Sequence, residues 1–513
     1  MKRLLFPLIA VMATFVVIGC PDSDPPPSQP TLGISLNVQG THPFSAVTEG
    51  YLQNDITPLT ITVTNIGTMP TGNLAISLID DENDSFRVSP ASSSLISISS
   101  GATDTFTVSP RLGLGIGTYT ATVAVSGGPG IAAQSFNVTF EVTRLRMDVI
   151  SAGHVHSTAI GYDGSLWVWG HGGHGRLGLG PDVTATTNIL VPTRITTPNI
   201  VWSSVSAGRD FNIAIDNNGS LWAWGFNVRG QLGLGDTTDR YTPIQIMPGT
   251  TWKKVSAGFS HTLAISVDGS LWVWGDNTWG ELGNGAAGGY IHTPTMVDPY
   301  TDWVYVSAEN THSMAIRANG MLYGWGEQFR GKLGNGQETG YVATPTLIGT
   351  DDDWASVSAG FTHTMAIKKD GSLWGWGDNW FGQLGNGESG NAHIINLTPI
   401  NIGALHKWLS VSTMQNHTIA IRDDGSLWAW GINELGQLGI GGEGGRTLPT
   451  PVDADPNTVW LSISTGASPH SIGIQSDGSL WTWGGNGSGQ LGNGDDENNL
   501  AISPAKITFV VPD

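Results

Sequence analysis

Ser358-Ala359-Gly360-Phe361-Thr362-His363-Thr364-Met365-Ala366-Ile367, then Asp370-Gly371-Ser372-Leu373-Trp374-Gly375-Trp376-Gly377, then Gly382-Gln383-Leu384-Gly385-Asn386-Gly387: this phrase decides the fold. It is the fifth of seven copies between Ser151 and Asp513. A period of about 50 residues with several short alternating stretches marks a propeller blade, a unit that cannot bury its apolar face alone. Each copy reads as four strands. The first surrounds Ser-Ala-Gly and is introduced by Trp-x-x-Val, as at Trp252, Trp303 and Trp354. The second is His-Thr-x-Ala-Ile and the third Leu-Trp-x-Trp-Gly, joined by an expected two-residue Asp-Gly or Asn-Gly hairpin whose positive dihedrals favour glycine. The fourth is a Pro-x-x-Ile stretch such as Pro345–Ile348, where proline suits a strand start or an outer edge. No Pro-x-x-Ile precedes copy one, whereas Pro504-Ala505-Lys506-Ile507 ends copy seven. The last strand is therefore expected to complete the first blade and leave no open edge.

All 21 tryptophans fall in this ring. Thirteen belong to Leu-Trp-x-Trp-Gly strands (Tyr323 replaces one) and six introduce first strands, so these are read as aromatic filling between blades. Trp279 and Trp380 stand outside the pattern.

Upstream the texture changes. Between Leu32 and Arg144 there is no tryptophan, and alternating stretches occur at Ile34–Val38, Leu59–Val63, Leu74–Ile79, Phe86–Val88, Leu95–Ile98, Phe106–Val108, Tyr119–Val125 and Phe136–Val142. Short period-2 strands parted by Gly, Pro, Ser and Asn over about 110 residues suit an immunoglobulin-like β-sandwich. The Leu-Thr-Ile-Thr-Val-Thr-Asn and Gly-Thr-Tyr-Thr-Ala-Thr-Val phrases resemble spacer domains of bacterial surface proteins. Asp80-Asp81-Glu82-Asn83-Asp84 has the oxygen ligands of a calcium loop but no defined spacing, and reads as a hairpin tip.

At the start, Lys2 and Arg3 precede an apolar run from Leu4 to Ile18, a secretory signal too short to span a bilayer. Val17-Ile18-Gly19-Cys20 resembles a bacterial lipobox, whose cysteine becomes the lipidated first residue, and Cys20 is the only cysteine in the chain. Residues 21–31 are proline-rich and read as a stiff tether. The expected organisation is a signal over 1–20, the tether over 21–31, the sandwich over 32–145 and the seven-bladed propeller over 146–513. The chain is thus an all-β protein expected in the bacterial cell envelope, lipid-anchored at the outer membrane, the cell surface or the periplasmic face.

Lys plus Arg number 22 against 42 Asp plus Glu, a net charge of −20 that repels phosphate backbones and disfavours nucleic acid. With 12% charged residues and 71 glycines, coiled-coil and disordered classes drop out.

The ring resembles the regulator of chromosome condensation repeat family from about Met147 to Ile507. The resemblance implies a seven-bladed propeller. It also implies activities as different as nucleotide exchange on a nuclear small GTPase, ultraviolet-B sensing in plants and β-lactamase inhibition by a secreted bacterial protein. All present loops to a protein. The acidic charge speaks against the first. The second depends on Gly-Trp-Arg-His-Thr, whereas this chain reads Gly258-Phe259-Ser260-His261-Thr262 and Gly360-Phe361-Thr362-His363-Thr364.

Chemistry is sparse. His156, His261, His312, His363, His417 and His470 occur once per blade at one repeat position, a tempting metal ring, but blade two carries Phe211 there. A position that accepts phenylalanine behaves as packing. The Gly-rich endings lack the Lys-Ser/Thr of a phosphate loop. Asp351-Asp352-Asp353 and Asp495-Asp496-Glu497 read as solvated loop tips. No catalytic set, metal or cofactor is expected.

The departures from the repeat say more. Two positions before Gly-x-Leu-Gly vary freely: Gly173-His174, Val228-Arg229, Thr278-Trp279, Phe329-Arg330, Trp380-Phe381, Glu434-Leu435 and Gly487-Ser488. Aromatics cluster on blades three to five. A second variable set, including Arg209-Asp210, Phe259, Asn310 and Phe361, precedes the histidine position. Trp279, Phe329, Arg330, Trp380, Phe381, Phe259 and Phe361 are the expected anchors of a protein partner. The expected molecule is a monomeric binding protein whose only membrane contact is its anchor. A carbohydrate-binding lectin is the alternative and an enzyme at the shaft mouth the third reading.

Overall fold

Alternation in the Leu-Trp-x-Trp-Gly stretch makes it the third strand of a four-stranded antiparallel sheet. The computed structural model describes residues 29–509 apart from residues 49–50, 52, 82–83, 90–93, 144, 184–186, 198, 391–393, 404–405, 453–454, 456 and 496–499. The signal, Cys20 and most of the tether lie outside the described residues. Among these no helix is long and apolar enough to cross a membrane. Two units are distinguished, one running to Glu141 without residues 47–51, the other comprising residues 47–51 and Val142 onward.

In the first unit one sheet has the order Ile34–Leu36, Leu59–Asn65, Thr103–Pro110, Phe86–Ser89. The other runs Thr41–Pro43, Gln134–Thr143, Gly117–Ser126, Leu74–Ile79, Ser94–Leu95. Ile61, Val63, Leu74, Phe86, Val108, Val123 and Val138 are fully buried, and Phe44 meets Phe86 of one sheet and Phe140 of the other. Two short strands escaped the sequence: Thr41–Pro43 and Val47–Thr48 pair parallel to Gln134–Thr143. The acidic turn serves its own hairpin. Asp81 accepts the N–H groups of Ser85 and Phe86, and Asp84 pairs with Arg111 at 2.9 Å.

In the second unit seven four-stranded sheets follow one another, beginning at Met147, Trp202, Trp252, Trp303, Trp354, Trp408 and Trp460. In the fifth, Trp354–Ala359, His363–Lys368, Leu373–Asp378 and Ile395–Asn401 pair in that order. The turn before the third strand is one residue longer than predicted. It comprises Lys369, Asp370 and Gly371, with Gly371 donating to Lys368 O and Lys368 to Ser372 O. Only Gly371 takes a positive φ, +86°. Asp370 caps the Ser372 N–H at 2.9 Å and accepts the Ser372 hydroxyl, which in turn accepts Trp374 Nε1–H. That relay accounts for the spelling Asp-Gly-Ser-Leu-Trp.

The ring closes without the expected exchange. Ala501–Lys506 pairs with Leu480–Gly484 of its own copy, and the first sheet already owns Asn188–Arg194. Each outer strand pairs with the tryptophan strand of its own copy although the link between them, 13 to 16 residues, is longer than the 5 to 8 residues that lead on to the next sheet. Packing closes the ring instead: Leu145, Met147 and Trp167 share one core with Ile472, Ile474, Leu480 and Ile507.

The polar letters of the repeat are latches between blades. Lys332 O, at the Gln position of blade four, accepts Trp376 Nε1–H at 2.9 Å and the Thr364 hydroxyl at 2.8 Å, both from blade five. The ring's closing seam repeats the arrangement, with Gln490 O accepting Trp169 and Ser157. A third bond joins the first strands, as from Ala359 N–H to Ser307 Oγ. Each such bond contributes about 1 kcal/mol net.

Candidate functional site

An antiparallel meander returns to the same end at alternate turns. The hairpins between first and second strands and the links between third and fourth strands therefore share one face, and both variable sets lie on it. The repeat builds a frame for them. In blade five Asn379 Oδ1 accepts Leu384 N–H at 3.0 Å, and Gln383 Oε1 accepts Phe381 N–H at 2.8 Å. Gln231, Glu281 and Gln437 hold Arg229, Trp279 and Leu435 in the same way. In blades one and four, a tight 3-10 turn places His174 and Arg330 at φ +58° and +57°.

Of the expected anchors, Trp279, Phe329, Phe361, Trp380 and Phe381 are between 37% and 48% exposed. Phe259 is half-buried beneath the Arg209 guanidinium, whose carbon lies 4.1 Å from the ring centre. Arg330 is committed elsewhere: it bonds Asp378 of the next blade at 3.1 Å and lies 5.5 Å from the Phe329 ring. Trp279 and Phe259 come together in a hollow of about 450 Å³ between blades two and four, with Phe226, Arg209, Arg229, Asp276, Glu281, Asn310 and Thr311. The other four aromatics do not line it.

Charges in and beside the hollow are paired. Arg229 reaches Asp276 at 3.7 Å, and Asp210 holds both Arg209 at 3.4 Å and the buried Arg176 at 2.7 Å. Glu281 is different: 2% exposed, its carboxyl is pushed up to about 7 by burial. Burial likewise pushes Glu309 up to about 7. Burial lowers the neighbouring Lys332, while its pairing with Glu327 at 2.6 Å works the other way.

Glu281, Glu309 and Lys332 were not among the predicted residues, although the repeat marked them. Blades two, five, six and seven carry Gln where Glu281 stands, and five copies carry Gly where Glu309 stands. Replacing Glu281 by Gln keeps the bond to Trp279 N–H and removes a buried charge. The cost of that charge is present above pH 7 and absent below the free carboxyl's 4.5. Glu281→Gln is accordingly expected to raise the melting temperature at pH 8 and leave it unchanged at pH 4.5, as calorimetry at both values would measure.

The six histidines are fully buried inter-blade latches. Each Nε2 lies 3.0–3.4 Å from a side-chain oxygen of the following blade, as His261 does from Ser313 and His470 from Ser157. Phe211 fills the same space in blade two. Among the described residues no group of three or more His, Cys, Asp or Glu is placed to hold a metal ion. Asp351 and Asp353 both grip Lys368, at 2.8 and 3.0 Å, and Asp496-Glu497 lie outside the described residues.

Comparison with known proteins adds relatives to this geometry. Residues 127–365 match the RCC1-like domain. Residues 354–383, and then 370–421, 424–472 and 477–511, match the Regulator of chromosome condensation (RCC1) repeat. The ultraviolet-B receptor UVR8 of Arabidopsis thaliana is 31% identical over 374 residues, covering 72% of this chain and 67% of the relative. The RCC1 domain-containing protein RUG3, mitochondrial, of the same plant is 29% identical over 355 residues, 67% of this chain and 66% of the relative. The alignments thus span about two thirds of each relative's length. The solved structure of yeast RCC1 (Prp20) bound by Kap60 is 20% identical, with a TM-score of 0.60 over 71% of this chain and 85% of that one. At that identity it shows the shared fold.

Proposed function

This chain belongs to the regulator of chromosome condensation repeat family, and on that premise we propose that its ring is a binding module that offers one face to a protein partner. The observation carrying the proposal is the hollow in which Trp279, half-exposed, meets Phe259 beside Arg209 and Arg229. Aromatics and arginines around a partly desolvated depression are the composition of interface hot spots. Phe329, Trp380, Phe381 and Phe361 extend the aromatic character around the same face. Yeast RCC1, solved bound to Kap60, is a protein of this fold that has a protein partner. The ring needs no catalytic group for this role.

The proposal extends to the setting. The N-terminal sandwich is taken as an immunoglobulin-like spacer and Cys20 as a lipidated anchor that would hold the chain at a bacterial membrane. Protein extracts from the cell envelope would be passed over the immobilised full chain and over a Trp279→Ala, Trp380→Ala variant of equal melting temperature. A protein retained by the parent chain is expected to lose at least about tenfold in affinity for the variant, in line with hot-spot truncation. Equal retention would move the binding surface to another face.

A further inference from the structure

The third strand of blade four breaks the tryptophan pattern at the outer rim. Tyr323 stands where the other six blades carry Trp, and its ring lies 5.2 Å from that of Trp303. Beside it opens a hollow of about 390 Å³ between blades three and four. Its walls are Tyr300, Tyr323 and Trp303, the charged residues Asp298 and Arg317, and the polar rim of Asn284 and Thr344. We propose that this hollow is a saccharide-binding site, taking a neutral pyranose unit.

Four features carry the proposal. The smaller phenol leaves room where an indole fills the equivalent position in the other blades. Its volume falls within the roughly 300–1,000 Å³ typical of small-molecule sites. Tyr300 is half-exposed, and Arg317 lies over its ring at 4.0 Å, fixing a flat aromatic platform at the mouth. Such a surface suits the C–H face of a sugar ring, apolar in body and polar at its edge. The polar groups are also held in place. Arg317 is clamped to Asp302 at 2.7 Å, and Asp298 accepts Trp303 Nε1–H at 3.2 Å and Tyr300 N–H at 3.1 Å. In blades three, five, six and seven the corresponding indole N–H groups, those of Trp252, Trp354, Trp408 and Trp460, are buried without a partner. The carboxylate arrangement is therefore particular to this blade. One arginine against two aspartates, in a chain of net charge −20, disfavours an anionic ligand. An amide, hydroxyl and carboxylate around an aromatic platform fit vicinal hydroxyls, which both donate and accept.

The test uses the purified full chain and a panel of methyl glycosides (glucoside, mannoside, galactoside and N-acetylglucosaminide) followed by isothermal titration and by quenching of tryptophan fluorescence. At least one glycoside is expected to bind. Tyr300→Ala should weaken it by about tenfold or more. Tyr323→Trp restores the residue of the other blades, so it should fold normally and abolish binding. Trp279→Ala, outside this hollow, should leave binding unchanged, which separates this site from the protein-binding proposal. Absence of binding by all four glycosides, or binding that survives Tyr323→Trp, or binding that is lost with Trp279→Ala alone, would overturn the assignment.

Discussion

Acidification from pH 7 towards pH 4 is expected to destabilise the ring steeply, because its latches need neutral histidine. The Ser313 hydroxyl gives its one proton to Glu281 O at 2.8 Å, so it can only accept from His261 Nε2, 3.0 Å away. The same reasoning fixes an Nε2–H tautomer at His312, His363 and His417, and the Asn212 amide oxygen, which only accepts, fixes it at His156; the Nδ1 atoms of these four and of His261 are buried without a partner. Protonation must occur at that dry nitrogen. Burial accordingly lowers His156, His363 and His417 to about 3 and His261 and His470 to about 4, and His312 well below its ordinary value. His470 is arranged differently: its Nδ1 donates to Ser468 O at 2.6 Å, so the neutral ring's Nε2 carries no proton and can only accept from the Ser157 hydroxyl, which Gln490 O also faces.

With folded values below the free imidazole's 6.5, the unfolded chain takes up more protons between these limits. The stability is whole above pH 6.5 and is lost as pH falls through the window. Glu281 and Glu309 act in the opposite sense between pH 4.5 and 7. Six latch histidines against two carboxyls leave a net difference of about four protons, on the order of 5 kcal/mol per pH unit, and His154, also lowered by burial, adds in the same sense. Urea midpoints at pH 7, 6 and 5 would measure it, and a flat profile would sink the argument. His363→Phe copies blade two, and should fold at pH 7 while flattening the slope by about one proton.

Substituting Gly334 by alanine is expected to open the seam between blades four and five. Gly334 has φ +74°, and an added Cβ would sit 2.7 Å from Trp376 Nε1, the group that donates to Lys332 O. Two residues on, Gly336 has φ +83° but nothing within 4 Å of an added Cβ. Both substitutions carry the left-handed cost of about 1–2 kcal/mol. Only Gly334→Ala also displaces a buried indole and breaks its bond, for a total of about 4 kcal/mol. Chemical denaturation of the two variants side by side isolates the seam. Equal losses would show that the indole latch contributes nothing.

The blades were legible because their letters recur. Leu-Trp-x-Trp-Gly alternates with the pleat, and repetition seven times removes the ambiguity that a single short apolar run carries. Phe211 was enough to show that the histidine position packs rather than ligates, though not that its neighbours bond around the ring. Strand counting failed at closure because the order Trp strand then Pro strand is the same whichever sheet the latter joins. The sandwich hid its parallel additions, since Thr41–Pro43 has no alternating pattern of its own. On the variable face, exposure of Trp279 and Trp380 followed from their place outside the repeat. The commitment of Arg330 did not, because its carboxylate partner lies on another blade. Glu281 was obscured by similarity: one atom separates it from glutamine, and only burial turns that difference into chemistry.

Every seam, the closing one included, is secured from an indole and a side chain of one blade to a single carbonyl of the blade before it, and no strand is shared. The ring is therefore divisible at seven equivalent places. A permuted gene, in which the ring-coding region began at any blade and the old ends were joined by a linker, would encode the same set of whole sheets. Recombination between copies would likewise exchange intact modules. Such a ring can diversify one blade's loops by copying in another blade, leaving the register of its neighbours undisturbed.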